Sequence, residues 1–351
     1  MDQEVVSAGQ YLACHRDRIL CSLPGKPRFF SPPCYSYCAC LLPLIWCSLA
    51  PYSDTCTHYV SQSMQQMSIH AAMEHAILAR EQILLGGLEG AARRGDVVAD
   101  LVVAKDGSGD FGSIKEAINE ADLMLVGDGI GKTVVTGSRS VAGGSTTFNS
   151  ATVAVTGDGF IARGITFRNT AGPAKRQAVA LRCNADLAVF YRCSFEGYQD
   201  TLYAHSLRQF YRECDVHGTV DFIFGNAAAV LQDCNIYVRR PMSKQQNTIT
   251  AQGRTDPSQN TGIVIQHCRV TAAPDLRPVQ GKFRTGGFAL NTLYYGEYKN
   301  TGPGSDTSRR VRWRGHHVIT DPSTALRFTV RGLLSGGSWL PATGVPFTDG
   351  L

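Results

Sequence analysis

From Val97 onward the chain is built of short apolar runs separated by Gly, Asn and Asp. Stretches such as ATVAVTGDGFIARGITFRN, AVALRCNADLAVFYRCSF and GTVDFIFGNAAAVLQDCNIYV are rich in Val, Ile, Phe and Thr and show little helical spacing. Runs this short, bounded by turn formers, predict many brief β-strands. Before Val97 the texture differs. Residues 69–93, IHAAMEHAILAREQILLGGLEGAAR, place apolar residues at helical spacing, interrupted at Gly86 and Gly87, and predict one or two short packing helices. Residues 1–66 have no sustained periodicity and are expected to be poorly structured. The expected organisation is a Cys-rich leader over 1–66, a helical linker over 67–96 and one β domain over 97–351.

The β region contains a repeat. VFYRCSF (189–195), FYRECDV (210–216), VLQDCNI (230–236) and VIQHCRV (264–270) each place an apolar residue, three positions, a cysteine, one position and a second apolar residue. The cysteines step by 21, 20 and 34, and the longer step leaves room for the polar insertion RRPMSKQQNT at 239–248. Steps near 20 with strand character predict an all-β parallel β-helix, in which equivalent positions stack about 4.8 Å apart. Asp200 and Asp221 each follow a repeat cysteine, Cys193 and Cys214, by seven residues, so they take the same place on neighbouring coils. Gln177 precedes Gln199 by 22 residues, so these glutamines stack likewise. Cys214 and Cys234 also fall on adjacent coils. In an exported chain that placement suits a disulfide; in a cytosolic one, two small buried core residues.

Taken singly, an aspartate in a turn is a solvated or capping residue. Stacked one coil apart among Tyr203, Phe222 and Phe224, two carboxylates do not both ionise easily, and one pKa rises. The protonated one serves as general acid and the anion can attack. Amide donors from Gln177 and Gln199 could hold an oxyanion, worth about 2.7–4 kcal/mol for one such donor. These are parts of an acyl-transfer site. Paired carboxylates also cleave glycosidic bonds, so a glycosidase is the alternative chemistry. Tyr203, Phe222 and Phe224 either line a substrate groove or pack the core. His205, His217, His316 and His317 lack ligand spacing.

Composition changes the picture mainly through cysteine. Seven of the 12 cysteines precede residue 57, and CYSYCAC (34–40) is dense but lacks the paired CxxC spacing of a zinc site. The run CACLLPLIWCSLA (38–50), preceded by Lys26 and Arg28, has the length of a signal-peptide apolar core and is too short to span a membrane. It starts far from Met1, and the expectation is a signal with a misplaced start or a non-native leader. A net charge of +5 is mild and fits a polyanionic partner and a bland basic surface equally.

The segments GSTTFNSATVAV, GITFRNTAGP, QAVALR, YQDTLYAHSLRQFYR, GTVDFIFGNA, ITAQGRTDPSQNTG, FALNTLYYGEYKNTGPG and SWLPATGVPF resemble plant pectin methylesterases, in the family's order, from about Leu101 to Leu351. The resemblance implies a single-stranded right-handed parallel β-helix of the pectin lyase-like kind. It implies an enzyme secreted to the plant cell wall that hydrolyses methyl esters of homogalacturonan to pectate and methanol. Carried over by motif, Asp221 of VDFIFG would be the nucleophile. Asp200 of YQDTLY would protonate the departing methanol and then activate water. Gln199 and Gln177 would form the oxyanion hole, and Thr147, Gln177, Tyr203 and Phe222 would contact substrate. The family's disulfide would map onto Cys214 and Cys234. The resemblance further implies a monomer that binds pectin and a proteinaceous pectinesterase inhibitor, with no nucleic acid and no metal or organic cofactor. The N-terminal 95 residues show no match to the inhibitor-like pro-region many members carry.

The chain departs from the family pattern twice. The family's LGRPW segment supplies an arginine to the nucleophilic aspartate and a tryptophan to the sugar groove. Here VQGKFRT (279–285) runs straight into GGFALNTLYY (286–295), and no motif makes Arg284 the substitute. Earlier, EAINEA (116–121) passes directly to DLMLVGDG (122–129) without the family's GxYxE strand. A solenoid tolerates lost coil material because each coil mainly touches its neighbours. The site tolerates less, since Asp221 loses the cation that would hold it ionised. Strongly reduced esterase activity is therefore expected. A non-catalytic pectin-binding relative is the further alternative.

Overall fold

The structure, a computed structural model, describes residues 122–256, 258–276 and 292–351, together with the backbone of two strands, Val5–Ala8 and Gln10–His15. The chain divides into two compact units, Met1–Arg18 with Asp100–Leu351, and Ile19–Ala99. The second unit lies outside the described residues, and with it the signal-like run 38–50 and the predicted helices of 67–96.

Each coil of the first unit contributes three short strands. Ala188–Tyr191, Ser194–Glu196 and Leu202–Ala204 make one turn; Arg208–Arg212, Asp215–Gly218 and Ile223–Gly225 make the next. Ala228–Gln232, Asn235–Val238 and Thr250–Gln252 make a third. Like strands pair parallel and in register, Phe195 on Val216 on Ile236, and Leu202 on Ile223. Three sheets of seven, five and nine strands therefore run along one axis. The connections take the right-handed sense that twisted strands favour, and the result is a right-handed parallel β-helix.

The cysteine repeat has a local cause. Arg192, Glu213, Asp233 and His267, the residues just before the four repeat cysteines, hold left-handed φ values of 52, 52, 54 and 53°. Each marks the sharp corner between two sheets, and the side chain that follows points into the bend. Cys193, Cys214, Cys234 and Cys268 fill it, all essentially without solvent exposure. The described cysteines are free thiols, so the disulfide expected between Cys214 and Cys234 is not formed here. The shared register sends both side chains into the core in the same sense. Each thiol instead donates to a carbonyl of the preceding coil: Cys214 Sγ to Phe190 O (3.2 Å) and Cys234 Sγ to Tyr211 O (3.5 Å).

The interior is aromatic and aliphatic. Phe190 stacks on Tyr211 at 4.9 Å and Phe167 on Phe195 at 5.8 Å, one ring per coil. The buried Tyr211 hydroxyl donates to Gln209 Oε1 at 2.6 Å, so no polar group is stranded there. The nine-stranded sheet is covered on its outer face as well. Val189, Phe210, Val230 and Val264 pack against Ile319, Val330, Leu334, Trp339 and Leu340 of the C-terminal segment. Burial on both faces explains why these strands read as unbroken apolar runs. The tail is tied down by a glutamine pair: Gln232 exchanges two hydrogen bonds with the Thr348 backbone, and Gln266 Nε2 donates to Gly350 O.

The expectation of an unstructured leader is corrected at two places. Val5–Ala8 pairs antiparallel with Cys268–Ala272, and Gln10–His15 lies antiparallel between Gly262–Gln266 and Leu293–Tyr298. The exposed backbone of the last regular coil accepts these strands without needing any side-chain period, so no pattern in the sequence announced them.

Candidate active site

The five-stranded sheet and the turn leading into it assemble the site. In a parallel ladder the N–H of a residue reaches the carbonyl just before its partner. Asp200 N–H donates to Val220 O at 3.0 Å, which sets Asp200 opposite Asp221 on the next coil. Ala178 N–H donates to Gln199 O at 3.2 Å, which sets Gln177 opposite Gln199. Three residues on, Leu181 faces Leu202, so the offset between these coils falls from 22 to 21. The slip is absorbed where the N–H groups of Ala180 and Leu181 share Thr201 O. The turn itself is fixed by Thr201 Oγ1 donating to His217 O at 2.8 Å.

Both aspartates are in the left-handed region, with φ of 63° for Asp200 and 48° for Asp221, a conformation that Asp tolerates better than most residues. Asp200 is buried and Asp221 half-buried. Burial first, and then the neighbouring Asp221 charge, push the Asp200 carboxyl up to about 7. Burial also raises Asp221 above its ordinary value. Tyr295 stands close enough to Asp221 for that carboxylate, after burial, to raise its phenol. Among the described residues no cation forms an ion pair with either aspartate; Arg284 lies outside them. Gln177 and Gln199 are half-buried, and Gln177 Oε1 is a buried acceptor with no partner.

Of the aromatic candidates, Tyr203 faces outward and stacks on Phe224 at 4.2 Å. Phe222 does not join them. It is fully buried in the core, so its expected contact with substrate is corrected. Leaving Asp221 in the left-handed region rotates the chain so that Phe222 and Ile223 both turn inward, and the outward position passes to Phe224. Thr147 is half-exposed at the start of the turn Phe148–Ser150. Its neighbour Phe148 meets His205 edge-on at 5.5 Å and lies under the Arg182 guanidinium at 3.5 Å. His205 also meets Tyr203 edge-on at 5.0 Å. Phe148, Arg182 and Tyr295 were missed in the sequence, where Phe224 stood with Tyr203 and Phe222 as a groove-or-core aromatic. Register arithmetic finds one of the three, since Arg182, Tyr203 and Phe224 follow one another at steps of 21.

The described residues thus form a right-handed parallel β-helix with two aspartates in register on adjacent coils, beside stacked glutamines and an outward aromatic row. A family model described as Pectinesterase matches residues 119–286 and 284–337, and the chain belongs to that family. The two stretches meet where VQGKFRT runs into GGFALNTLYY. "Pectinesterase 2" of Citrus sinensis is 56% identical over 311 residues, covering 72% of this chain and 61% of that protein. "Probable pectinesterase/pectinesterase inhibitor 17" of Arabidopsis thaliana is 57% identical over 306 residues, 71% of this chain and 60% of the relative. The chain thus spans about three fifths of the length of these curated relatives. A solved pectin methylesterase from carrot is 48% identical, with a TM-score of 0.68 over 74% of this chain and 100% of that one.

Proposed function

We propose that the chain is a carboxylic ester hydrolase that removes methyl esters from pectin in the plant cell wall, after secretion and as a monomer. The observation that carries this is the opposed pair Asp200 and Asp221, with the Asp200 carboxyl held at about 7 by burial and by its partner. Below about pH 7 Asp200 keeps its proton, and Asp221, raised by burial without a neighbouring charge, is the one of the pair that ionises first. Asp221 attacks the carboxymethyl carbonyl, the oxyanion develops toward the amides of Gln199 and Gln177, and Asp200 delivers its proton to the leaving methanol. Asp200, now a base, takes a proton from the water that hydrolyses the mixed anhydride joining Asp221 to the galacturonate carboxyl, which frees the acid and restores both aspartates. The outward row of Tyr203 and Phe224, with Thr147 at its edge, suits the apolar face of a sugar ring. A proteinaceous pectinesterase inhibitor is the protein partner this surface would meet.

Activity is expected to be weak in the chain as it stands. Nothing among the described residues replaces the guanidinium that would stabilise and orient the Asp221 anion, and an uncompensated half-buried carboxylate is a poorer nucleophile at low pH. The test is methanol release from methylated pectin by this chain and by a version with an LGRPW-bearing segment restored between residues 285 and 286. The restored version should be the faster by roughly tenfold or more, the value of one lost charge-assisted contact. Asp221→Asn in it should remove at least about three orders of magnitude. Formation of reducing ends would replace the esterase by the glycosidase reading. Methanol release that survives loss of both aspartates would remove the mechanism.

A further inference from the structure

Arg182 occupies the outward row of the sheet that carries the aspartates, opposite Tyr203, which in turn lies opposite Phe224. It is only 8% exposed. Arginine is almost never buried so deeply without a counter-charge, because the lost hydration of the guanidinium must be made good. No carboxylate among the described residues pairs with it. Burial lowers its pKa, and the titratable groups beside it, Tyr203 and Cys183, are themselves raised by burial and neutral at ordinary pH. Its Nη1 donates to Asn184 Oδ1 at 2.8 Å, while its Nε is buried with no partner. One face of the guanidinium lies against the Phe148 ring, which is itself 42% exposed. A cation–π contact of this kind offsets part of the desolvation but satisfies no N–H. The arrangement is a half-built anion site: a fixed fork with one edge unspent, walled by Phe148, His205 and Tyr203. Tyr203 feels the charges of both Arg182 and Asp200, which puts this fork one coil from the reacting pair.

We propose that Arg182 holds the free carboxylate of a galacturonate unit next to the ester being hydrolysed. The inference rests on the pectin reading above and adds to it a recognition element for charge. A carboxylate can accept two parallel N–H bonds from a guanidinium edge, including the orphaned Nε. A methyl ester offers one weaker carbonyl acceptor and no charge. The site therefore distinguishes a hydrolysed sugar from a methylated one, one coil away from the chemistry.

The test is a calorimetric titration of unesterified trigalacturonate and of its trimethyl ester into the full chain at low salt. The wild type should bind the acid about tenfold more tightly than the ester, as expected for a partly desolvated charge-assisted contact. That preference should shrink as salt is raised. Arg182→Gln should abolish it while leaving ester affinity in place, and Arg182→Lys should keep part of it. Equal binding of acid and ester by the wild type, an acid preference indifferent to salt, or an acid preference that survives in Arg182→Gln would each overturn the assignment. The first two of these need no variant to fold. If neither saccharide binds, the pectin reading itself falls and takes this one with it. An unchanged preference in the variant removes Arg182 alone.

Discussion

At the scale of single residues, Asp200 is the carboxyl that burial and a neighbouring charge raise furthest among the described residues. Its folded pKa of about 7 stands above the usual carboxylate value of 3.8, so the folded state binds more protons than the unfolded one between those limits. Stability from this group is therefore present below about pH 4 and is lost as pH rises towards 7, at a cost of up to about 4 kcal/mol. Asp200→Asn should accordingly melt higher than the wild type at pH 8, with the difference closing near pH 4. A thermal-melting series across that range checks it, and a pH-independent difference would contradict the assigned environment. The same group sets the alkaline limb of activity: kcat/KM for methanol release should fall as pH rises through about 7, where the acid loses its proton. Asp221 sets the acid limb, above the ordinary carboxylate range, because burial raises it.

At the scale of elements, the corners decide which side chains the strands present. Phe222 and Tyr203 look interchangeable in sequence, each an aromatic close to a motif aspartate, yet one is core and the other surface. Phe222→Ala should cost about 3–5 kcal/mol of folding stability, whereas Tyr203→Ala should cost far less and weaken saccharide binding instead. Denaturant unfolding beside a binding titration separates the two. Gly225 is the stricter position. Its φ is 134°, and a Cβ there would come within 1.9 Å of Ala204 O on the coil below. Gly225→Ala should destabilise by about 3 kcal/mol or more, read as a lowered urea midpoint with unchanged slope. A variant as stable as the wild type would mean that these two coils can separate without penalty.

At the scale of the whole molecule, stacking is what turns short strands into a domain. Most coils touch only the coils above and below, and the C-terminal segment adds a second layer over one sheet through Ile319, Val330 and Leu340. Such an architecture survives the loss of internal material more readily than a single closed core would, because each coil is held mainly by its neighbours. Under the proposed mechanism catalysis should not share that tolerance. The family's arginine segment is missing between residues 285 and 286, and its loss is expected to act on Asp221 rather than on the stacked strands. The expected gain from restoring the segment is thus in turnover, with little change in melting temperature. A large rise in melting temperature without a rise in methanol release would place its role in the fold.

Much of this was legible in the residues alone. A cysteine recurring at steps of 21 and 20 gave the coil length, because each sharp corner admits one small side chain after a left-handed residue. The same count aligned Asp200 with Asp221 and Gln177 with Gln199, and resemblance named the family. Spacing could not say which face a side chain takes after a strained corner, and it leaves both Phe222 and Phe224 as groove or core until the fold buries Phe222 and turns Phe224 outward. Nor could it foresee strands at 5–8 and 10–15, since backbone pairing on an open sheet edge needs no side-chain period. Arg182 became visible only when its surroundings were in place. A charge is ordinary in sequence, and its burial without a counter-ion is a property of the assembled fold.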